Sequence, residues 1–498
     1  MSSSIELKIY NSLTRQKEVF KPLNPPQVSV YVCGPTVYDF LHVGNFRGPV
    51  FFNMLRNYLE LLGYEVRFAL NFTDVDDKII KKSNELKISA HDVSEKYIQE
   101  YKKDFQILGL KGHDYNPKVT ESMDDIIAMI QKLIDSGYAY AQDGDVLYSI
   151  EKFSEYGKLS GRHPDELIAG ARVEVDEKKR NPLDFALWKS AKPEEPSWKS
   201  PWGQGRPGWH IECSAMVEKI FGASIDIHGG GSDLIFPHHE NEIAQSEACT
   251  HKTFVKYWMH WQMLNFSGQK MSKSLGNIIS LREFVERYHP EIYKFMILSV
   301  HYRTVADFTE DAIHRSISSL AKIYSSLAMA QHYIQKAATE QKSDAQTVSI
   351  ELTDKKLLES WDKIILSLSD DFNTAEMMAV IHEELKSFNQ SVKRGLKLSP
   401  NLLAKCQQLI SFFQRISNLT ALFIEPPDQF LSFLDQRLIE LKQIDVNEVE
   451  KLINERNTVR AEKNYKRSDE IRDQLNLMGI SISDTPEGTY WEVTKNLS

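Results

Sequence analysis

The stretch "VSVYVCGPTVYDFLHVGNFRGPVFFNMLRNYLELLGYEVRFALNF", residues 28–72, decides the fold. Residues 28–33 alternate in polarity, which is typical of a strand. The apolar stripe that follows has helical spacing and ends before Gly63, a residue type that commonly stops a helix. Residues 64–72 predict a second strand. Strand, helix and strand in this order predict a βαβ unit of a parallel sheet.

A second set of elements with the same character follows later in the chain. Residues 209–221 and 237–250 predict helices, and residues 224–228 and 257–264 predict strands. The region between the two sets, about 115–200, has a mixed pattern and is predicted to be an insertion. The sequence therefore predicts an α/β fold in which a split Rossmann-type catalytic domain carries an inserted segment.

The pattern changes after about residue 310 to long amphipathic helices, with a predicted hairpin in the last 20 residues. The polar stretch 338–349 is a predicted linker. We expect an all-α helical bundle and then a small C-terminal helix-plus-hairpin module. The predicted boundaries are 1–114 and 201–265 for the two Rossmann halves, 115–200 for the insertion, 266–315 for a lysine-rich loop and its support, 316–425 for the bundle and 426–498 for the terminal module.

Composition limits the class of protein. A chain of 498 residues should form several domains, and its 42% apolar and 26% charged residues are ordinary for a soluble protein. We expect no membrane association and a cytoplasmic location, because the sequence shows neither a spanning apolar run nor a signal peptide. Four cysteines predict no disulfide framework. The net charge of −9 argues against a nucleic-acid coat, although a local basic face could still bind nucleic acid.

The stretch "DIHGGGSDLIFPHHENEIAQ", residues 226–245, suggests both a phosphate loop and a metal site. No Gly-Lys-Ser/Thr follows the glycines, so a P-loop is excluded. A zinc-protease motif that began at His239 would need a second histidine where the chain has Ile243. His238 and Glu242 are four residues apart and would share one face of a helix. Two ligands do not hold a structural zinc ion, so further ligands are required.

Two short motifs gain meaning only together. "HVGN", residues 42–45, and "SGQKMSKSLGN", residues 267–277, are each weak signals, since a lysine-rich loop is more often a solvated surface. Both are expected where Rossmann-type folds bind nucleotides, at strand ends and helix N-termini. The imidazole of His42 and the ammonium groups of Lys270 and Lys273 could neutralise a triphosphate.

These motifs resemble the class I aminoacyl-tRNA synthetases, in which HVGN stands for the HIGH element and KMSKS is the second signature. The resemblance narrows to the cysteinyl-tRNA synthetase family and extends from about residue 5 to 494. Asn45 stands where that family more often has His, and Lys294 where Arg is expected. The six family motifs that occur here in order are "YVCGPTVYD", "NFTDVDDKII", "GRPGWHIECSAM", the glycine-containing segment 221–234, "FPHHENEIAQ" and "KMSKSLGN".

The resemblance implies that Cys33 and Cys213 join His238 and Glu242 as ligands of one Zn²⁺ ion. The residues themselves agree with this assignment. Cys33 ends a predicted strand, and Cys213 lies in the first turn of a predicted helix, whose dipole favours a thiolate. The alternative is that each cysteine is a small buried core residue, which is the usual fate of a free cysteine.

The resemblance also implies ATP-dependent ligation of L-cysteine to tRNA(Cys) through a cysteinyl adenylate, by a monomer that uses Mg²⁺ with ATP. The implied catalytic residues are His42, Lys270 and Lys273. The implied ATP and adenylate site comprises Gly34, Thr36, His42, Gly44, Asn45, Gly231, Ser232, Asp233 and Lys273, and the amino-acid pocket comprises Asn71, Thr73 and Trp209. Segment 426–498 would bind the anticodon, although its mildly basic part 451–473 could equally be a solvated helix.

Several alternatives remain open from the sequence. Gly229–Gly231 could form a tight turn, and the acids in 74–78 favour a helix N-cap over a magnesium site. A related cysteine ligase of mycothiol synthesis shares the zinc site but lacks the C-terminal modules. A non-catalytic zinc protein that binds nucleic acid would not need the KMSKS loop, and a zinc peptidase fails at Ile243.

Overall fold

The structure, a computed structural model, describes residues 6–162, 179–266, 269–270, 279–341, 351–485 and 488–495. Its strands are β1 (Lys8–Asn11), β2 (Gln16–Val19), β3 (Gln27–Val32), β4 (Glu65–Leu70), β5 (Ala139–Gln142), β6 (Asp145–Tyr148), β7 (Phe185–Ser190), β8 (Trp198–Ser200), β9 (Gly203–Pro207), β10 (Ile225–Gly231), β11 (Val255–Trp261), β12 (Leu264–Phe266), β13 (Gln269–Lys270), β14 (Ala306–Phe308), β15 (Ile480–Thr485) and β16 (Gly488–Val493). Its α-helices are α1 (Arg47–Leu61), α2 (Asp77–Leu86), α3 (Ala90–Ile107), α4 (Met123–Asp135), α5 (Trp209–Phe221), α6 (Glu240–Thr250), α7 (Leu281–Arg287), α8 (Pro290–Leu298), α9 (Glu310–Gln341), α10 (Lys355–Ser369), α11 (Thr374–Ser391), α12 (Pro400–Thr420), α13 (Pro427–Lys442), α14 (Val446–Ala461) and α15 (Tyr465–Leu477).

A four-stranded parallel sheet, in the order β11-β10-β3-β4, forms the centre of the catalytic domain. Helix α1 connects β3 to β4, and α6 connects β10 to β11. The two halves predicted from the sequence therefore meet in one sheet, where Ile227 of β10 lies opposite Val30 of β3. The predicted split α/β fold is confirmed.

The apolar residues of the stretch 28–72 pack into the core beneath this sheet. The chain leaves α1 through Gly63, whose φ of +90° is accessible to glycine and strained for other residues. The interpretation of Gly229–Gly231 as a tight turn is wrong, because these residues continue β10. The buried residues of α1 include Phe51, Leu55, Tyr58 and Leu59.

Two helix starts near the site have identifiable causes. The predicted helix over 237–250 becomes regular only at Glu240, since Phe236 is extended (φ −141°, ψ 132°). A residue before proline avoids the helical region, so the chain can turn helical only after Pro237. At α2 the side chain of Asp76 accepts a hydrogen bond from the Lys78 amide at 2.9 Å, which confirms the predicted N-cap.

The segment between the two Rossmann halves builds a five-stranded antiparallel sheet, in the order β5-β6-β7-β9-β8. The same inserted segment is hydrogen-bonded to Glu240, the first residue of α6. This buried carboxylate accepts hydrogen bonds from the amides of Gly157 (2.9 Å) and Ser160 (2.7 Å). The insertion therefore supports the helix that carries Glu242.

The helical bundle comprises α9 to α13. Helix α9 continues to Gln341, so the first residues of the predicted linker at 338–349 are helical, and positions 342–349 lie outside the described residues. The bundle contacts the catalytic domain through α8. There Glu291 accepts hydrogen bonds from the amides of Phe423 and Ile424, each at 3.0 Å, and Lys294 donates to the carbonyl of Ala421. The Ala421 carbonyl needs only one donor, and the ammonium group of Lys294 provides it. A lysine can therefore make this contact at the position where Arg was expected.

The C-terminal module consists of α14, α15 and the β15–β16 hairpin. It has its own apolar cluster, which includes Val449, Ile471 and Ile480. Asp484 of the hairpin binds Arg456 through two hydrogen bonds of 2.8 and 2.9 Å. No helix in the described part of the chain is both long and apolar enough to cross a bilayer.

Candidate active site

The carboxyl ends of β3 and β10 lie next to each other at the centre of the sheet, where the two βαβ units diverge. Open α/β sheets bind ligands at such a point. A cavity of about 300 Å³ opens there. Among the predicted site residues, its lining includes Cys33, Gly34, His42, Gly44, Asn45, Gly231 and Asp233.

Glycine is required at the floor of this cavity by close packing. A Cβ atom on Gly34 would lie 1.7 Å from the carbonyl oxygen of Asn71. The Gly34 amide also donates to the side chain of Asn71 at 2.8 Å, so the two strand ends are locked together. A Cβ atom on Gly230 would lie 2.4 Å from the ring of His239. These glycines bring strand ends and side chains together rather than forming a loop.

The four predicted metal ligands converge on one point. The ligand atoms of Cys33, Cys213, His238 and Glu242 all lie within 4.8 Å of one another. The two sulfurs are 3.7 Å apart, and His238 Nε2 is 3.0 Å from Glu242 Oε1. Cys213 is the fifth residue of α5, so it lies at the start of the second turn, about one residue beyond the predicted first turn. The side chain nevertheless reaches Cys33, which directly follows the carboxyl end of β3.

A second layer of buried side chains holds these donors. Nδ1 of His238 lies 3.0 Å from His210, and Oε2 of Glu242 lies 2.8 Å from Nε2 of His228. Such outer partners are typical of metal ligands. The Tyr31 hydroxyl is buried and has no hydrogen-bond partner of ordinary geometry within the described ranges. Two sulfurs, an imidazole and a carboxylate suit Zn²⁺.

A second possible donor set overlaps the first. Cys33, His228, His239 and Glu242 also have ligand atoms within 4.8 Å of one another. It contains one sulfur in place of two. The first set is therefore the softer and the better match to zinc.

The charges in this cluster are strongly coupled. Burial raises the pKa of the Cys33 thiol, whereas the hydrogen bond from Cys33 lowers the pKa of Cys213 to about 6. Although burial opposes it, the Glu242 carboxylate raises the pKa of His238 to about 10. Despite its own burial, Glu242 has a pKa held well below its usual range by His228 and His238. The cluster thus favours the thiolate of Cys213 and the carboxylate of Glu242, which are forms that bind a cation, whereas burial favours the neutral thiol of Cys33.

The predicted amino-acid pocket residues lie around the metal-ligand cluster. Trp209 stacks on the His238 ring, with ring centroids 4.3 Å apart, and remains 41% exposed, so it can contact a ligand. The Thr73 hydroxyl donates to buried Glu212 at 3.1 Å. Asn71 contacts both Gly34 and, at 3.9 Å, the sulfur of Cys213. Thr36 pairs with Thr73 across a short parallel bridge.

The HVGN segment lies at the N-terminus of α1. The Asn45 side chain accepts a hydrogen bond from the His42 amide at 3.1 Å. Asparagine can therefore make this local contact at the position where the family more often has His. Lys270 belongs to β13, whose backbone pairs with Asn265 of β12, while Lys273 lies outside the described residues. Ser232 begins a short 3-10 turn after β10 and donates to Gln262 at 3.1 Å.

Sequence reasoning missed Tyr31, His228 and Glu212. Tyr31 precedes Cys33 by two positions and so shares its face of β3, a signal that strand alternation could have given. His228 and Glu212 had no such signal, because their roles depend on contacts between separate elements.

Comparison with known proteins agrees with this geometry. Residues 19–318 match the family described as tRNA synthetases class I (C) catalytic domain. Residues 363–423 match the DALR domain, and 446–491 match the cysteinyl-tRNA ligase anticodon binding domain. A cysteine–tRNA ligase of Bdellovibrio bacteriovorus is 57% identical over 489 residues, which cover 98% of this chain and 100% of the relative. The chain belongs to the cysteine–tRNA ligase family.

More distant members of the cysteine–tRNA ligase family match over the same length. The enzymes of Geobacillus sp. and Thermococcus onnurineus are 46% and 43% identical over 486 residues, each covering 98% of this chain and 99% of the relative. A Mycobacterium tuberculosis methionyl-tRNA synthetase in complex with methionyl-adenylate shares the fold, with a TM-score of 0.58 at 14% identity. The match covers 81% of this chain and 93% of the methionyl-tRNA synthetase chain. The chain is thus a class I enzyme, a cysteine–tRNA ligase with a tRNA-binding C-terminal module.

Proposed function

We propose that the site activates L-cysteine with ATP as cysteinyl adenylate and then transfers the cysteinyl group to tRNA(Cys), with zinc selecting the substrate thiol. The observation that carries this proposal is that the metal-ligand cluster and the nucleotide cavity share the residue Cys33. Cys33, the first zinc ligand in the chain, also lines the nucleotide cavity beside Gly34 and His42. A small amino acid whose sulfur lay at the metal would therefore have its carboxylate near an ATP bound in that cavity.

In the first step a carboxylate oxygen of cysteine attacks the α-phosphorus of ATP, and pyrophosphate leaves. His42, Lys270 and Lys273 would stabilise the charge that builds up on the phosphate oxygens, and Mg²⁺ would come with ATP. In the second step the terminal ribose hydroxyl of the tRNA attacks the adenylate carbonyl carbon, and AMP leaves. Neither step needs a nucleophile from the protein, so catalysis is alignment and charge neutralisation.

Zinc would be held by Cys33, Cys213, His238 and Glu242, and when bound it would supply a soft Lewis-acidic centre that prefers sulfur to oxygen. Around it the chain performs the remaining selection. Trp209 covers the His238 side of the pocket. The Thr73 hydroxyl, which donates to Glu212, would accept a hydrogen bond from the ammonium group of the substrate.

Cysteine-dependent ATP–pyrophosphate exchange tests the first step, and charging of a tRNA pool tests the second. We expect label to enter ATP only when cysteine is present, and we expect the charged tRNA to carry cysteine. Exchange that serine supports as well as cysteine would contradict the selective role of zinc. Charging without any exchange would contradict an adenylate formed before tRNA attack.

A further inference from the structure

Asp371 lies in the loop between α10 and α11 of the bundle, yet its side chain faces the catalytic domain. It is fully buried, and its φ of +62° is in the left-handed region that aspartate tolerates better than most residues. Its carboxylate accepts hydrogen bonds from the Tyr10 amide (2.9 Å), the Tyr302 hydroxyl (2.7 Å) and Arg303 Nε (2.7 Å). Because a hydrogen bond donated by a charged guanidinium is strong, the contact with Arg303 fixes the 301–303 segment against the bundle.

The backbone of Asp371 strengthens the same junction. Its amide donates to the carbonyl of Lys8 at 2.9 Å, and its carbonyl accepts a hydrogen bond from His301 at 3.0 Å. Arg303 also lies over the ring of Tyr10, 4.1 Å from its centroid. Three parts of the chain, the N-terminal hairpin, segment 301–303 and the bundle loop, thus meet at one carboxylate.

Segment 301–304 in turn holds the chain that supports the nucleotide cavity. The carbonyl of Tyr302 accepts a hydrogen bond from the Gln262 amide at 2.9 Å. Arg47, the buried first residue of α1, donates to the carbonyls of Met263 (2.8 Å), His301 (3.4 Å) and Thr304. The guanidinium therefore ties segment 301–304 both to the HVGN end of α1 and to the start of β12.

Gln262 and Met263 connect this network to the proposed site. The Gln262 side chain accepts the hydrogen bond from Ser232, and Met263 lines the cavity. Strand β12 begins one residue later and pairs with β13, which contains Lys270. A continuous set of hydrogen bonds therefore leads from the bundle loop to the nucleotide side. The metal ligands lie on different elements, at the end of β3, in α5 and around the start of α6.

We propose that Asp371 is a positioning residue for the ATP half of the active site, acting through Tyr302, Arg303 and the 262–263 backbone. This proposal rests on the proposed function, since it concerns formation of the adenylate. If Asp371 acts in this way, ATP is correctly aligned only when the helical bundle is correctly placed. The bundle belongs to the tRNA-binding side of the molecule. The proposal also predicts a larger effect on ATP than on cysteine, because the contacts described above lead to Ser232 and Met263 and none of them is made by a proposed metal ligand.

The test compares Asp371→Asn and Arg303→Lys with the wild type in ATP–pyrophosphate exchange, varying ATP and cysteine separately. We expect kcat/KM for ATP to fall about threefold to thirtyfold, the range typical of mutations that alter coupling between sites, with KM for cysteine unchanged. Lys17→Ala is the matched control, because it removes only the exposed ion pair of Lys17 with the neighbouring Asp370 (2.7 Å). This control should retain wild-type kinetics.

Hydrogen exchange gives a second readout that is independent of activity. In Asp371→Asn the amides of 262–266 should exchange faster, while those of β10 near the metal ligands should not change. Variants that lower the thermal midpoint but keep kcat/KM for ATP would overturn the proposal, as would equal losses for both substrates. If Asp371→Asn does not fold, Arg303→Lys decides alone. A wild type without exchange activity would refute the proposed function, whereas protection of 262–266 would still report on the Asp371 contact.

Discussion

His42 and Ser280 form an antiparallel backbone bridge, so the HVGN segment lies beside the chain that follows the KMSKS segment. Two hydrogen bonds flank this bridge, from the Val43 amide to Ile279 (3.0 Å) and from the Leu281 amide to Leu41 (3.2 Å). The two signature elements of the sequence can therefore serve the same nucleotide.

Replacing Lys273 with Ala should slow adenylate formation by about 10²-fold or more, the cost of losing one stabiliser of transition-state charge. Stopped-flow or exchange measurements with saturating cysteine would give this rate. Lys252→Ala, at an exposed position near the end of α6, controls for loss of a surface lysine. An unchanged exchange rate in Lys273→Ala would remove this residue from the proposed mechanism.

Gly34→Ala should disrupt the metal-ligand cluster as well as the cavity. The new methyl group would overlap the Asn71 carbonyl, and relief of that clash must move either the end of β3 or the end of β4. Overpacking of this kind costs about 1–3 kcal/mol of folding stability, and here it also displaces Cys33. We expect a lower thermal midpoint and less than one zinc per chain by elemental analysis.

Gly112→Ala is the matched control for that substitution. A Cβ atom there meets nothing within 4 Å, so the protein should keep its metal content and its thermal midpoint. Full zinc occupancy in Gly34→Ala would show that the cluster does not depend on the close approach of the two strand ends.

His289 should make the stability of the bundle junction depend on pH. Its Nδ1 accepts the hydrogen bond from the Glu291 amide at the start of α8, and its ring packs edge-on against Phe430 and Phe433. Burial, followed by the charge of Lys294, lowers the pKa of His289 to about 4. The unfolded chain, with a histidine pKa of about 6.5, therefore binds this proton at a higher pH than the folded protein.

The sign of the effect follows from that difference. Stability from His289 is fully present above about pH 6.5 and falls as the pH drops toward 4, by at most about 1.4 kcal/mol per pH unit. His289→Asn keeps an N-cap without a titrating ring, so it should flatten the slope of unfolding free energy between pH 6.5 and 4. Urea titrations at several pH values measure this slope, with His332→Asn on the exposed face of α9 as the matched control. An unchanged acid slope in His289→Asn would contradict the assignment.

Local sequence signals predicted the elements of the site well. The spacing of His238 and Glu242 placed both side chains on one face, and the end of a strand placed Cys33. The structure brings these side chains together, although His238 precedes the regular part of α6 and Cys33 directly follows β3. The irregular turn before Glu240 was missed, although Pro237 carried the signal.

Contacts between distant elements could not be predicted in this way. His228 holds Glu242 only because β10 and α6 pack together, and Glu291 binds the 423–424 amides only because the bundle docks on α8. Asp371 is a stronger example, since its role depends on a left-handed loop and on three segments far apart in the chain. No periodic pattern encodes such meetings, and the final placement depends on the whole fold.

The last prediction concerns how the zinc ion distinguishes cysteine from serine. The two amino acids differ by sulfur and oxygen, and a pocket that judged size alone would give only about 1–3 kcal/mol. An accuracy of about 10⁴ requires about 5.5 kcal/mol. A thiolate bound directly to zinc could supply that difference, because a serine hydroxyl is a harder donor and ionises far less readily.

The substrate thiolate would be the third sulfur ligand of the zinc ion, and the negative charge of the existing ligands opposes its binding. Two thiolates and one carboxylate already exceed the charge of Zn²⁺, so one existing ligand must bind loosely. Glu242 is the best placed, because His228 holds its Oε2 at 2.8 Å and would stabilise the carboxylate when it moves away from the metal. X-ray absorption at the zinc edge should therefore show two sulfur ligands alone and with serine, and three with cysteine. Cys213→Ser, where it retains zinc, should lower each count by one. Two sulfurs in the wild type with either amino acid would mean that zinc does not bind the substrate thiol, and selection would then have to come from Trp209, Thr73 and the pocket walls.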